Sequence, residues 1–287
     1  MTLLQCHVFL AVCNQRSFTK AGEVLNMTQS AVSQAISNLE GELGVTLLHR
    51  SRQGIAITHI GERVLSHVRE IIRHEGCLRE EASLAAGVEA GTLRIASIPS
   101  ASGLLPGLLA TFKARFPNVQ PVLFDGGTDE VCSWLESHVV DVAFVTMPVA
   151  GLDVLELLQD QLLLFLPMSH PMAGKGAVTL DDVVGEPFIL PKGDSEHVIR
   201  GAFRSRSLTP KVEFEVRDIA TILAMVQEGI GVTILPEMAI LPSLPNVQRL
   251  CIRPNITRQV GLAVRNMAAI SPICADFLLH AKDYVQR

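Results

Sequence analysis

The sequence predicts a winged helix-turn-helix at the N-terminus, a long helix after it, and then an α/β region in two sets of strands and helices. Three observations predict this. One short helix carries an apolar stripe opposite an uncharged polar face. An apolar residue recurs at every seventh position from Ile57 to Ala85. From Thr92 onward, strand-like and helix-like segments alternate.

The stretch from Ser17 to Thr58 reads as a helix, a turn, a second helix and a small β-wing. Ser17 can cap the first of these helices, because its hydroxyl can accept from the free N–H groups of the opening turn. Asn26-Met27-Thr28 make the turn. In the second helix Val32, Ala35, Ile36, Leu39 and Leu43 fall at i, i+3, i+4, i+7 and i+11, one continuous stripe. Gly44 suits its end, where positive φ is wanted. The opposite face carries Gln29, Ser30, Ser33, Gln34 and Ser37. Uncharged donors and acceptors on a helix that packs by its other side suit the major groove of duplex DNA. The plainer alternative is an amphipathic surface helix. Such helices usually carry Lys and Glu, and this face has no charge before Glu40 and Glu42.

Charge gives that reading little help. The net charge is −5. Residues 1–60 hold Arg16, Lys20, Arg50 and Arg52 against Glu23, Glu40 and Glu42, so 4 − 3 leaves +1. Phosphate contacts would come from hydroxyls, amides and helix N-termini as well as cations. Arg50 and Arg52 in the wing are the main candidates. A weakly charged reader also fits a dimer or tetramer that multiplies modest contacts.

Hydrophobic residues make up 48% and charged residues 18%, enough apolar material for large cores and a poor match to disorder. The six cysteines, Cys6, Cys13, Cys77, Cys132, Cys251 and Cys274, are scattered without a C-x-x-C pair or zinc spacing. Cys6 and Cys13 are expected to pack as small hydrophobes. Polar residues interrupt the N-terminal apolar run, so no signal peptide is expected, and no apolar run is long enough for a membrane span. The expectation is a reduced, cytoplasmic protein. No nucleophile elbow, phosphate loop or dinucleotide fingerprint is present, so no enzyme and no cofactor or metal is expected. Asp125, Asp129 and Glu130 could pair for acid-base work, but they read better as charges at a helix N-terminus.

The seven-residue repeat Ile57, Val64, Ile71, Leu78 and Ala85, with Val68 and Ala82 between, suits a coiled-coil seam on a helix from Thr58 to Ala86. Glu75, Gly61 and Gly76 weaken that seam. A helix packed on its own domain is the alternative. Gly87–Gly91 reads as a hinge. Beyond it TLRIASI, SGLLPGLLATFKARF, VQPVLFD, TDEVCSWLESH and VDVAFVT give β-α-β-α-β, the mark of a doubly wound parallel sheet. After Pro148 a second set begins with the strand LLLFLP and ends with RQVGLAVR and a C-terminal helix.

Ligands of open α/β sheets bind beyond the carboxyl ends of the strands. Ser100 and Ser102 follow the first strand, Thr128 the second, and Ser195 the strand PFILP. Each sits where a helix begins, and free N–H groups there favour an anion. Each could equally be a plain N-cap. Taken together, on both sets of strands, they favour a cleft for a small polar or carboxylate ligand. Lys192, His197 and Arg200 stand nearby and read as surface charges. No cysteine falls between residues 148 and 250, which argues against a thiol switch there.

One stretch carries a wider pattern: F-x-A-V at Phe9–Val12, S-F-T-x-A at Ser17–Ala21, T-Q-S-A-V-S-x-x-I-x-x-L-E-x-x-L-G-x-x-L-x-x-R at Thr28–Arg50, and T-x-x-G at Thr58–Gly61. This resembles the N-terminal domain of LysR-type transcriptional regulators. It departs at Gly22, where the family usually has alanine, and at Leu48, where it often has phenylalanine. Gly22 is expected to cost its helix about 1 kcal/mol against alanine. The resemblance implies Ser17, Thr19, Thr28, Gln29, Ser30, Ser33, Gln34, Ser37, Arg50 and Arg52 as DNA contacts, a dimerising linker helix, and homodimers or homotetramers. It also implies two lobes of the periplasmic-binding-protein type around a small-molecule effector, with Ser100, Ser102, Thr128, Thr146, Ser195 and Thr221 at the effector. The expected domains are then 1–58 for DNA, 59–91 for the linker, 92–147 plus 267–287 for lobe I, and 148–266 for lobe II.

Overall fold

The computed structural model describes residues 1–51, 54–85, 90–240 and 245–286. The chain divides into two compact units. The first holds Met1–Val88 and Ser137–Val139, the second Glu89–Glu136 and Val140–Arg287.

The first unit contains helices α1 (Leu3–Gln15), α2 (Phe18–Leu25) and α3 (Gln29–Leu43), strands β1 (Leu48–Ser51) and β2 (Gly54–Ile57), and helix α4 (His59–Ala85). Each of the three first helices starts at a side-chain cap. The Thr2 hydroxyl accepts from Gln5 N–H, Ser17 from Lys20 N–H at 3.3 Å, and Thr28 from Ala31 N–H at 3.2 Å. α3 ends at Gly44, which is left-handed at φ 70°. β1 and β2 pair antiparallel as the wing. The Glu40 carboxylate on α3 accepts from the N–H groups of Leu47 and Leu48, so the wing strand is tied to the helix before it.

The stripe on α3 packs largely as its spacing predicts. Val32, Ile36 and Leu39 are buried with Phe9, Val12 and Ala21, and Ala35 lies partly buried beside them. Leu43 departs from the stripe, at 39% exposed in the last turn of the helix. Cys6 and Cys13 are buried in this core, and burial pushes the Cys13 thiol up to about 12. α4 divides its apolar repeat. Leu65 and Val68 are buried against the same core, with Val64 and Ile71 beside them, whereas Leu78 is 69% exposed. The first half of the seam is therefore used inside its own unit.

Gly22 corrects an expectation. A Cβ there would lie 2.6 Å from the carbonyl oxygen of Met27. The propensity cost of glycine in α2 remains, but the turn folds back too closely for alanine to recover it.

The second unit runs β3 (Gly91–Ser97), α5 (Leu105–Arg115), β4 (Val119–Asp125), α6 (Thr128–Glu136), β5 (Val142–Thr146), β6 (Asp153–Pro167), β7 (Ala177–Val178), α7 (Leu180–Val183), β8 (Pro187–Pro191), α8 (Glu196–Ser205), β9 (Lys211–Val216), α9 (Ile219–Gln227), β10 (Thr233–Pro236), β11 (Val247–Val264) and α10 (Pro272–Val285). The main sheet has the order β10-β6-β11-β5-β3-β4, with β7 beside β11. β3 is parallel to both β4 and β5, the doubly wound part that the alternating pattern predicts. β8 and β9 form a second parallel pair.

β6 and β11 differ from expectation. LLLFLP and RQVGLAVR mark only the last parts of two long antiparallel strands that serve both lobes. β5 joins β11 at Val260–Ala263, and β10 joins β6 at Leu162–Phe165. Along β6, Leu162, Leu164 and Leu166 enter one core with Phe188, Ile199 and Phe203, while Leu163 and Phe165 enter another with Ile222 and Val226. A strand buried on both faces reads as one apolar run without alternation. Pro254 falls in the register break between Cys251 and Ile256, where its missing N–H costs no ladder bond.

Candidate functional site

Two sites emerge, one in each unit. In the first, the polar face of α3 is open. Gln29, Ser30, Gln34 and Ser37 are exposed and Ser33 is half-buried. Gln34 donates from Nε2 to Asn38 Oδ1 at 2.8 Å, which aligns two amides along one helix face. The Ser30 and Thr28 hydroxyls are 3.0 Å apart at the N-terminal end of the helix. Thr28 and Ser17 are engaged as caps, and Thr19 is exposed on α2. Arg50 lies in the first wing strand, and Arg52 lies outside the described residues. The geometry offers a line of neutral donors and acceptors on a rigid helix whose opposite stripe is fixed in a core.

The second site lies between the lobes of the other unit. The register of β6 and β11 sets Arg258 directly opposite Asp160. Arg258 Nε and Nη2 donate to Asp160 Oδ2 at 3.0 and 2.8 Å. Its Nη1 donates to Asp194 Oδ2 at 2.6 Å, and lies 3.2 Å from both Thr146 Oγ1 and Ser195 Oγ. The Ser100 hydroxyl also donates to Asp194 Oδ2. Three predicted effector residues, Ser100, Thr146 and Ser195, thus converge on one guanidinium and one carboxylate. All of these side chains are buried, Arg258 at 1% exposed. Burial pushes the Asp160 carboxyl above its usual range, although Arg258 and the Met238 N–H pull it down.

The other three predicted residues lie apart from this cluster. Ser102 donates to the Ala239 carbonyl at 3.2 Å. Thr221 donates its hydroxyl to Asp218 at 2.6 Å, and its hydroxyl and N–H together hold that carboxyl below the usual range. The Thr128 hydroxyl oxygen is buried at the start of α6. Lys192 and Arg200 both bond to Glu196 at 2.9 Å, a rim network of surface charges. Glu130 accepts from Gly127 N–H at 3.0 Å, a helix-start contact as its sequence position suggests.

Asp160, Asp194 and Arg258 escape the sequence reading. The signal for Asp160 and Arg258 is one charge of each sign inside strands with long apolar runs, in QDQLLLFLP and ITRQVGLAV; Asp194 sits in the loop between β8 and α8 and carries no such signal. Beside the cluster is a recess of about 10 Å³, roughly the space of one water, bounded by Pro99, Lys192, Arg217, Ile219 and Leu235. Among the described residues no group of His, Cys, Asp or Glu is arranged to hold a metal ion, and no helix is long and apolar enough to cross a membrane.

Comparison with known proteins bears on both units. The family model described as "Bacterial regulatory helix-turn-helix protein, lysR family" matches residues 3–62, and that for the "LysR substrate binding domain" matches residues 86–286. The uncharacterized HTH-type transcriptional regulator YvbU of Bacillus subtilis is 35% identical, over 99% of this chain and 98% of its own. The probable HTH-type transcriptional regulator LrrA of Synechococcus elongatus is 32% identical, over 97% and 95%. Among solved structures, full-length OxyR from Pseudomonas aeruginosa superposes with a TM-score of 0.80 at 21% identity, covering 100% of this chain and 95% of that one. CbnR complexed with its target DNA gives 0.71 at 24% identity, covering 99% and 100%. Both show the fold: a helix-turn-helix domain followed by a two-lobed α/β domain. The chain belongs to the LysR family of DNA-binding transcriptional regulators.

Proposed function

We propose that this regulator reads duplex DNA through the exposed face of α3, as a dimer or tetramer in the cytoplasm, and that a small polar or anionic effector acting between the two lobes controls it. The single observation that carries the reading is the face itself. Gln29, Ser30, Gln34 and Ser37 project from a helix whose Val32, Ile36 and Leu39 are locked in the core. Amides can bond two base-edge groups at once, and hydroxyls adapt to either donor or acceptor. Arg50 and Arg52 would take phosphates beside the groove. CbnR, of the same fold, has been solved on its target DNA, which supports this use of the domain.

Ser100, Thr146 and Ser195 bring lobe I and lobe II to one point, which supports an effector site there. An effector can shift the balance between DNA-bound arrangements only by binding them unequally. Footprinting of the purified protein on the region upstream of its neighbouring gene tests the reading. Protected half-sites spaced by about one helical turn are expected. Affinity for that region no greater than for random DNA would overturn it.

A further inference from the structure

The interlobe cluster holds one carboxylate more than its cation needs. Asp160 already faces Arg258 across the strands and takes two of its donor groups, Nε and Nη2. Asp194 adds a second negative charge from the other side, on Nη1. It is 8% exposed and arrives from lobe II, just before α8, on a loop that Gly193 turns at φ 135°. There it accepts from the Ser100 hydroxyl of lobe I. A guanidinium edge and a hydroxyl, with Thr146 and Ser195 hydroxyls alongside, make a complete seat for a carboxylate. The adjoining recess has room for little more than a water.

We propose that Asp194 is a tethered competitor in the effector's own seat. An effector acid binds by displacing the Asp194 carboxylate from Arg258 and Ser100, and the strength of that internal contact sets the effector concentration to which the protein responds. This rests on the interlobe effector reading above and specifies its ligand class, a small carboxylate. A tethered group competes at a high effective concentration, so it weakens every free acid by the same factor. Removing it leaves Arg258 paired with Asp160, so the cation is not stranded.

The test uses full-length wild type, Asp194→Ala and Asp194→Asn, with sodium acetate as probe against sodium chloride at matched ionic strength. Binding is read by thermal shift and by the fluorescence of Trp134, the single tryptophan. Asp194→Ala should bind acetate tighter than wild type by on the order of tenfold or more. Asp194→Asn, which fills the seat without the negative charge, should fall between wild type and Asp194→Ala. Adding Ser100→Ala to Asp194→Ala should lower the gain. Equal acetate affinity in wild type and Asp194→Ala, or no preference of Asp194→Ala for acetate over chloride, overturns the proposal. If Asp194→Ala folds only in acetate, that supports it. If it folds in neither salt, Asp194 is a structural strut and the proposal falls. Failure here leaves the regulator reading standing if footprinting succeeds. A failed footprint removes that reading whatever acetate does.

Discussion

The two units use the same kind of residue in opposite ways. On α3 Gln29, Ser30, Gln34 and Ser37 face outward, and the helix is held by Val32, Ile36 and Leu39 behind them. Between the lobes Ser100, Thr146 and Ser195 face inward and are engaged by Arg258 and Asp194. The small polar side chains along the α3 face are exposed to solvent, whereas the interlobe hydroxyls are bound internally. Residue type is alike. What differs is whether a buried charge waits opposite.

Breaking the internal arrangement should give the largest effect. Arg258→Ala leaves Asp160 and Asp194 buried without their cation, and should cost about 3–5 kcal/mol of stability. Denaturant unfolding followed by Trp134 would register the loss in the second unit, and a variant within error of wild type would contradict the cluster's role. In the first unit, Gly22→Ala forces a methyl group against the Met27 carbonyl. A destabilisation of about 1–3 kcal/mol is expected, opposite in sign to helix propensity. A stabilised variant would show that the turn gives way. The smallest effect belongs to the surface of the second unit. The Lys175 ammonium, 2.9 Å away, and then the N–H and hydroxyl of Thr179 hold the Asp182 carboxyl at about 2. This value lies below the unfolded one of about 4, so its contribution is complete above that pH and is lost as pH falls toward 2. Asp182→Asn should cost under about 1 kcal/mol near neutrality, and its deficit against wild type should vanish as pH falls toward 2, which flattens the acid limb. An unchanged acid limb in thermal melts would refute the pairing.

Legibility followed the same division. The α3 stripe, the Ser17 and Thr28 caps, and the Gly44 stop are local, and period and residue type suffice to read them. Leu43 fits the stripe by spacing but lies exposed in the last turn of α3, where period alone does not report burial. β-α-β alternation was plain in lobe I, where β3 and β4 are each followed by a helix. The long strands β6 and β11 were not, since their first halves carry the mixed sequences VLELLQDQ and VQRLCIRPNIT. Arg258 and Asp160 are 98 residues apart in sequence. Nothing local says that a register puts them face to face, so the centre of the second site stayed hidden even though three of the hydroxyls around it were named.

The central claim is that the outward amides and hydroxyls of α3 read base edges. The most direct measurement is the affinity of wild type and Gln34→Ala for the footprinted site and for a scrambled duplex of equal length, at one salt concentration. Gln34 is exposed and bonded only within its own helix face, so the fold should be unaffected. The expected result is a loss of about 1–3 kcal/mol on the specific site with scrambled binding unchanged. An equal loss on both duplexes, or none on either, would contradict the account.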